Sequence, residues 1–222
     1  MRYSLWLEKK VSLDLSPSAM PEAEYTVAIC FPKTMQGLRI LDVGAGQSGC
    51  VSWCASRGAD AYGIDPRYGD LERLDIDTDR SLEDIRKKFL RDFGHDWESY
   101  RASIEYSRRR FREHLQADGD HYKEAFAGNL PFPDNWFDFV YSINCITHGL
   151  DLEYSVFGKA VQETMRVLKS GCEMQTYPFF WSSDSQILKN HKKLLRTLRG
   201  RNIQCIEEQV VGTARRLRII KP

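Results

Sequence analysis

The stretch "ILDVGAGQSGC" limits this chain more than any other. A short apolar run reaches Asp42 at its end, three glycines follow at Gly44, Gly46 and Gly49, and a helical pattern opens straight after them. Glycine tolerates positive φ and lets other atoms approach the backbone, so this spacing predicts a strand, a tight turn and a helix. A second apolar run, "ADAYGID", closes on Asp65, 19 residues beyond Gly46. A carboxylate there can accept two hydrogen bonds from a ribose diol. The unit therefore predicts a site for a nucleoside-containing ligand. Asp42 narrows the choice: a buried carboxylate aimed into the same crevice repels a pyrophosphate in a low dielectric. It suits a ligand with ammonium or sulfonium charge and no phosphate. The plain structural alternative is a strand-to-helix turn that holds nothing.

The rest of the chain alternates in the same way. Strands are predicted at "LRILDV" (38–43), "ADAYGID" (59–65), "YKEAFA" (122–127), "FDFVYSIN" (137–144) and "CEMQTYPFF" (172–180), with "IQCIEEQVV" and "ARRLRIIKP" as two closing strands. Helical periodicity covers 48–57, 153–168 and 184–200. Strands alternating with helices imply an α/β fold with a doubly wound, seven-stranded, mostly parallel sheet covered on both faces.

Residues 66–121 break the alternation as a charged helical insertion after the second strand. Ser81 with Asp84 resembles a capping box, followed by a stripe of Leu82, Ile85, Phe89 and Phe93. Asp96 is placed to cap a longer helix that puts Trp97, Tyr100, Ile104, Phe111 and Leu115 on one face. Such helices must pack on something, so the insertion is expected to lie over the sheet edge or the site. Residues 1–36 read as a separate, weakly patterned extension, and 37–222 as the main domain.

Composition excludes several classes. A net charge of +1 gives no overall field that would draw in nucleic acid or an anionic membrane. No apolar run approaches the roughly 18 residues that span a bilayer, and Glu8, Lys9 and Lys10 interrupt the first ten positions too early for a leader core. The six cysteines contain no CxxC pair. They read as small buried thiols in a reducing, cytoplasmic protein, with no metal site expected.

The motifs together resemble class I S-adenosylmethionine-dependent methyltransferases. "LDVGAGQSG" is similar to the first motif of that family and "YGID" to the second. "LPFPDNWFDFVYSINCITHGLD" (130–151) is similar to its run through strand four, and "ETMRVLKSG" (163–171) to the helix end before strand five. The nearest branch is typified by ubiquinone and menaquinone biosynthesis enzymes. The resemblance implies a Rossmann-like sheet, S-adenosyl-L-methionine as cofactor, and methyl transfer to an oxygen or carbon of a small-molecule acceptor. It places Asp42, Gly44, Ala45 and Gly46 at the methionine and ribose, Asp65 at the ribose hydroxyls, and Pro66 and Arg67 beside the adenine. Ser142 and Ile143 fall near the transferable methyl. The family's usual adenine-binding aspartate is replaced by Phe126. Adenine recognition then passes to the backbone of Ala127 or to Asn129, and Phe126 could equally be core.

A general base helps when the acceptor is a hydroxyl or an acidic carbon. His148, just after strand four, is the candidate, with a loop-capping role as its structural alternative; Asp151 and Tyr141 are weaker candidates. Trp97, Tyr100 and Tyr106 could line an acceptor pocket under the insertion. "SRRRFR" (107–112), "KNHKKLLRTLRGR" (189–201), Arg215, Arg216 and Arg218 leave an RNA- or protein-directed enzyme open, although solvated helix faces explain them as well. A non-catalytic, cofactor-binding scaffold is the third reading, favoured by Phe126. An NAD(P) oxidoreductase conflicts with Asp42. The acceptor itself and the oligomeric state are not readable.

Overall fold

The computed structural model describes residues 20, 22–93, 97–146, 154–179, 185–211 and 214–222. In chain order the elements are α1 (Glu22–Ala28), β1 (Arg39–Val43), α2 (Cys50–Ala55), β2 (Asp60–Ile64), α3 (Leu71–Phe93), α4 (Trp97–Ala117), β3 (Tyr122–Lys123), β4 (Phe137–Ile143), α5 (Tyr154–Val167), β5 (Leu168–Phe179), α6 (Ser185–Arg199), β6 (Gln204–Val211) and β7 (Ala214–Ile220). The seven strands form one sheet in the order β3-β2-β1-β4-β5-β7-β6, and only β7 runs antiparallel to its neighbours. The doubly wound, mostly parallel sheet expected from the alternation is what the chain forms.

The central strands read as apolar runs because both of their faces are covered. Leu41, Val43, Val140 and Met174 face α5 and α6 with Phe157, Val161, Leu194 and Leu198. Ile40, Phe139, Tyr141 and Tyr177 face the other layer, where α1, α2, α3 and α4 contribute Tyr25, Val51, Leu74 and Phe111. Burying a large apolar side chain stabilises by about 1.5–3 kcal/mol, so these two layers hold the sheet between them.

Four expectations change. The predicted third strand (122–127) shrinks to the two residues of β3, which pair at the edge with Gly63 and Ile64 before the chain turns away. Strand five starts at Leu168 rather than 172. Ser81 caps nothing: it lies in the third turn of α3, and its hydroxyl donates to the Asp77 carbonyl at 2.8 Å. Apolar and small positions continue upstream through Thr78 to Leu74, so the helix starts ten residues earlier. There Asp70 accepts the Arg73 N–H at 3.0 Å. Asp96 lies outside the described residues. Finally, the part of the first 36 residues that is described is not separate from the domain. Met20, Tyr25, Ala28, Ile29 and Met35 are all buried in the second core layer.

Candidate functional site

β1 and β2 end side by side, with Asp42 opposite Gly63 and Val43 opposite Ile64. The chain then turns sharply. The N–H groups of Gly44 and Ala45 both donate to the Ile64 carbonyl, at 2.9 and 3.0 Å. This requires the positive φ of Gly44 (80°) and Gly46 (53°), which glycine adopts without steric cost. Gly44 is constrained twice, since a Cβ there would lie 2.3 Å from the Cβ of Cys145 on the loop leaving β4.

Asp42 is 1% exposed, and neither carboxylate oxygen has a hydrogen-bond partner. Burial pushes its pKa up to about 8. The hydroxyls of Tyr141, Tyr25 and Ser48 lie close enough to temper that rise without a well-aligned bond, and the nearby Asp65 charge adds to it. A buried carboxyl with both oxygens bare is costly, and a cation placed against it would recover that cost. This orphaned group is the observation that fits a sulfonium- or ammonium-bearing ligand. The expectation that it stands as a carboxylate needs one correction: without a ligand it is largely protonated at neutral pH.

Asp65, 2% exposed, behaves differently. Arg67 grips it as a fork, Nε to Oδ1 at 2.8 Å and Nη2 to Oδ2 at 2.9 Å, and the Arg67 N–H adds a third bond to Oδ1. Its oxygens thus face an internal cation where a ribose diol is expected, and Arg67 sits on the carboxylate rather than flanking a base. Pro66 beside it is exposed.

The helices between β2 and β3 are docked on the glycine loop. The Tyr68 hydroxyl donates to the Gly46 carbonyl at 2.7 Å, and the Gln47 amide donates to Asp75 at 2.5 Å. The Gly49 N–H donates to Ser107 Oγ at 2.8 Å, and that hydroxyl donates onward to the Met20 carbonyl at 2.9 Å. Arg108, 5% exposed, ties α4 to α3 through Asp75 and Asp79. Ala45, Gln47 and Ser48 are buried beneath this cover.

Of the other expected residues, Ser142 and Ile143 lie at the end of β4 beside the loop. Ser142 is a brace, its hydroxyl donating to the Val43 carbonyl at 3.0 Å and accepting the Ile146 N–H at 3.1 Å. Phe126 is not core: 71% of it is exposed, on the turn closed by Asn129 N–H to its carbonyl at 2.9 Å, while Ala127 next to it is buried. Tyr141 is buried, and burial raises its pKa well above the ordinary tyrosine value. Trp97 and Tyr100 are buried, with rings 6.0 Å apart, and Tyr106 is exposed under Arg109. His148 and Asp151 lie outside the described residues. The thiols are not uniformly buried either, since Cys30 is exposed and Cys145, Cys172 and Cys205 are half-buried. Among the described residues no cluster of acidic, histidine or cysteine side chains could hold a metal ion, and no helix is long and apolar enough to cross a membrane.

Sequence reasoning missed Tyr25, Tyr68, Ser107 and Cys145. Only Cys145 carried a local signal, since it lies within the 130–151 run and directly follows the predicted fourth strand (137–144). The others reach the loop through contacts across 22 to 58 residues or more, which no spacing rule encodes.

Residues 87–174 match the family model described as a methyltransferase domain. The match runs from the end of α3 into β5 and does not include the glycine loop. Among solved structures, a Pyrococcus horikoshii protein is 16% identical with a TM-score of 0.51, covering 86% of this chain and 84% of that one. This likeness shows the sheet architecture. A SAM-dependent methyltransferase from Aquifex aeolicus is 13% identical at a TM-score of 0.46, covering 96% of both chains. Magnesium protoporphyrin IX methyltransferase from Synechocystis, solved with bound SAM, is 12% identical at 0.44, covering 85% of this chain and 72% of that one. No curated protein matches the chain.

Proposed function

We propose that this S-adenosylmethionine-dependent methyltransferase passes its methyl group to an oxygen or carbon of a small-molecule acceptor. The single observation behind the site assignment is Asp42, buried with both oxygens unpartnered beside a glycine turn. When bound, the cofactor supplies a methyl carbon already activated by a sulfonium. The protein's part is then alignment, which can provide much of the rate.

Asp42 holds the ligand's positive charge. Gly44, Ala45 and Gly46 let it approach the backbone, and Asp65 takes the ribose hydroxyls once the Arg67 side chain swings off. Exposed Phe126 offers a flat apolar face to the adenine where the family has a carboxylate, with the Ala127 N–H as donor. Ser142 and Ile143 hold the end of β4 against the methyl-bearing side. His148 accepts the acceptor's proton, a role suited to an imidazole with an ordinary pKa of about 6.5. The helices α3 and α4, pinned to the loop through Ser107, Tyr68 and Gln47, serve as the lid. Motif wording keeps the quinone-biosynthesis branch as the nearest pattern, and a cytoplasmic location goes with it.

The scaffold reading retains one specific support, since Arg67 already pairs with the Asp65 carboxylate that this proposal assigns to the ribose. Two experiments separate the readings. Titration with S-adenosylmethionine, S-adenosylhomocysteine and NADH should give micromolar binding of the first two only, lost in Asp65→Ala. Incubating the protein with methyl-labelled cofactor and a cell extract should then move label into the small-molecule fraction. Label in the macromolecular fraction would point to RNA or protein acceptors, and binding without transfer would favour the scaffold.

A further inference from the structure

Charge is segregated along this chain although its sum is +1. Residues 185–222 carry ten lysines and arginines against two glutamates, a net +8, while the remaining 184 residues carry 22 against 29, a net −7. The structure shows where the excess goes. Leu194, Leu195 and Leu198 turn one face of α6 into the core, and His191 lies there too. Lys189, Lys192, Lys193, Arg196 and Arg199 share the opposite face, and Arg201 follows in the turn after it; all six are exposed.

The local acids do not neutralise this face. Glu207 is shared by Arg199 and Arg215, while Glu208 and Glu173 are held by Arg216 and Arg218. Lys189, Lys192, Arg196 and Arg201 pair with no carboxylate among the described residues. The other basic run, on α4, is different: Arg108 and Arg112 are spent on Asp75 and Asp79, and Arg109 on Glu113.

We infer that the outer face of α6 is a docking surface for the sugar-phosphate backbone of duplex DNA, read without sequence. Several partner chemistries fit worse. A membrane-surface helix inserts its apolar face, and here that face is committed to the core. Protein interfaces are organised around an apolar or aromatic centre, and among the described side chains no exposed large apolar one lies on α6. Single strands are held by stacking on aromatics, which the described face lacks. What remains is a row of exposed cations about 15 Å long and roughly 10 Å across, from the helix rise and diameter. Duplex DNA carries one charge per about 1.7 Å of axis, and its minor groove is only about 6 Å wide. Both phosphate rows therefore fall within reach of the strip. The A-form minor groove is wider and leaves one row in reach. The surface needs no cofactor, so the inference stands apart from the methyl-transfer reading.

The test is fluorescence anisotropy of a labelled duplex of roughly 24 base pairs with the full chain and no cofactor, at several salt concentrations between about 50 and 200 mM. Binding at the low end is expected, with log K falling by about 4 to 5 per decade of salt, since each phosphate contact contributes about 0.9. The quadruple variant K189Q/K192Q/R196Q/R201Q should lose more than tenfold in affinity, and its slope should drop by about 3 to 4 with melting temperature unchanged. The control K87Q/R101Q, on α3 and α4, should bind as the parent does. No binding at low salt, or equal binding by the quadruple variant, overturns the proposal. So does tighter binding to an RNA duplex of the same length or to vesicles of anionic phospholipid.

Discussion

Two regions of this molecule treat carboxylates in opposite ways. Around the β6–β7 hairpin the acids are held by guanidinium groups: Arg218 bonds Glu173 on β5 at 2.6 Å and Glu208 at 2.9 Å, and Arg216 grips Glu208 again. Those groups are half-exposed, and the surrounding arginines hold Glu208 below the usual carboxylate range. At the carboxyl edge of β1 the situation is reversed. Asp42 is fully buried with no partner, and its pKa is pushed up to about 8. Exposed ion pairs contribute little to stability, whereas an unpartnered buried carboxyl costs a great deal. A cation brought by a ligand would recover that cost, so under the proposed function the bare carboxyl belongs to the site and the crowded ones to the scaffold.

The sharpest way to break that contrast is Asp65→Ala. Losing an acceptor for two charge-assisted hydrogen bonds, each about 1.5–3 kcal/mol, should weaken S-adenosylhomocysteine binding at least about a hundredfold by titration calorimetry. Binding within a few-fold of the parent would remove Asp65 from the site.

Asp42→Asn should act in two directions. Cofactor binding should weaken about tenfold or more, while the cofactor-free protein becomes more stable at high pH. The sign follows from linkage. Because the folded pKa lies above the unfolded value near 3.9, the folded state holds the extra proton between about pH 4 and 8. Stability from this group is therefore greatest below pH 4 and is lost as pH rises through 8. Melting curves at about pH 8.5 should place the variant several degrees above the parent, a gap that closes towards pH 5. A variant that melts lower at both pH values would contradict the idea that Asp42 is a destabilising group in the empty fold.

A smaller effect is expected from Arg67→Gln. Removing the internal competitor should tighten S-adenosylhomocysteine binding a few-fold and flatten its salt dependence, because screening no longer acts on an ion pair that must open. Weaker binding in the variant would instead make Arg67 a ligand contact. The smallest effect belongs to the other region: Glu208→Gln should move the melting temperature by no more than a few degrees, as half-exposed ion pairs contribute about 0–1 kcal/mol.

The fold was legible where burial is two-sided. β1, β2 and β4 are continuous apolar runs between turn residues, and each was placed to within a residue or so at either end. β3 was overdrawn because an edge strand of two residues has no pattern of its own. α1 was invisible because its described inward-facing side chains are Glu24, Tyr25 and Ala28, and a buried glutamate breaks the apolar pattern. Ser81 misled because a serine bonded to a carbonyl four residues back looks, in sequence, like a cap. In the candidate site, the glycines and both aspartates were singled out through spacing. The Arg67 fork did not, since residues two apart beyond a strand end follow no periodic rule. Nor did exposed Phe126, which composition alone assigns to a core.

The most direct test is to titrate S-adenosylhomocysteine into the parent and Asp42→Asn at pH 7, in two buffers with different ionisation enthalpies. If the ligand's cation completes Asp42, binding to the parent should release about one proton more than binding to the variant, because the carboxyl near pKa 8 must ionise. Equal proton counts with equal affinities would mean that the ligand does not meet Asp42, and the site would have to be sought elsewhere.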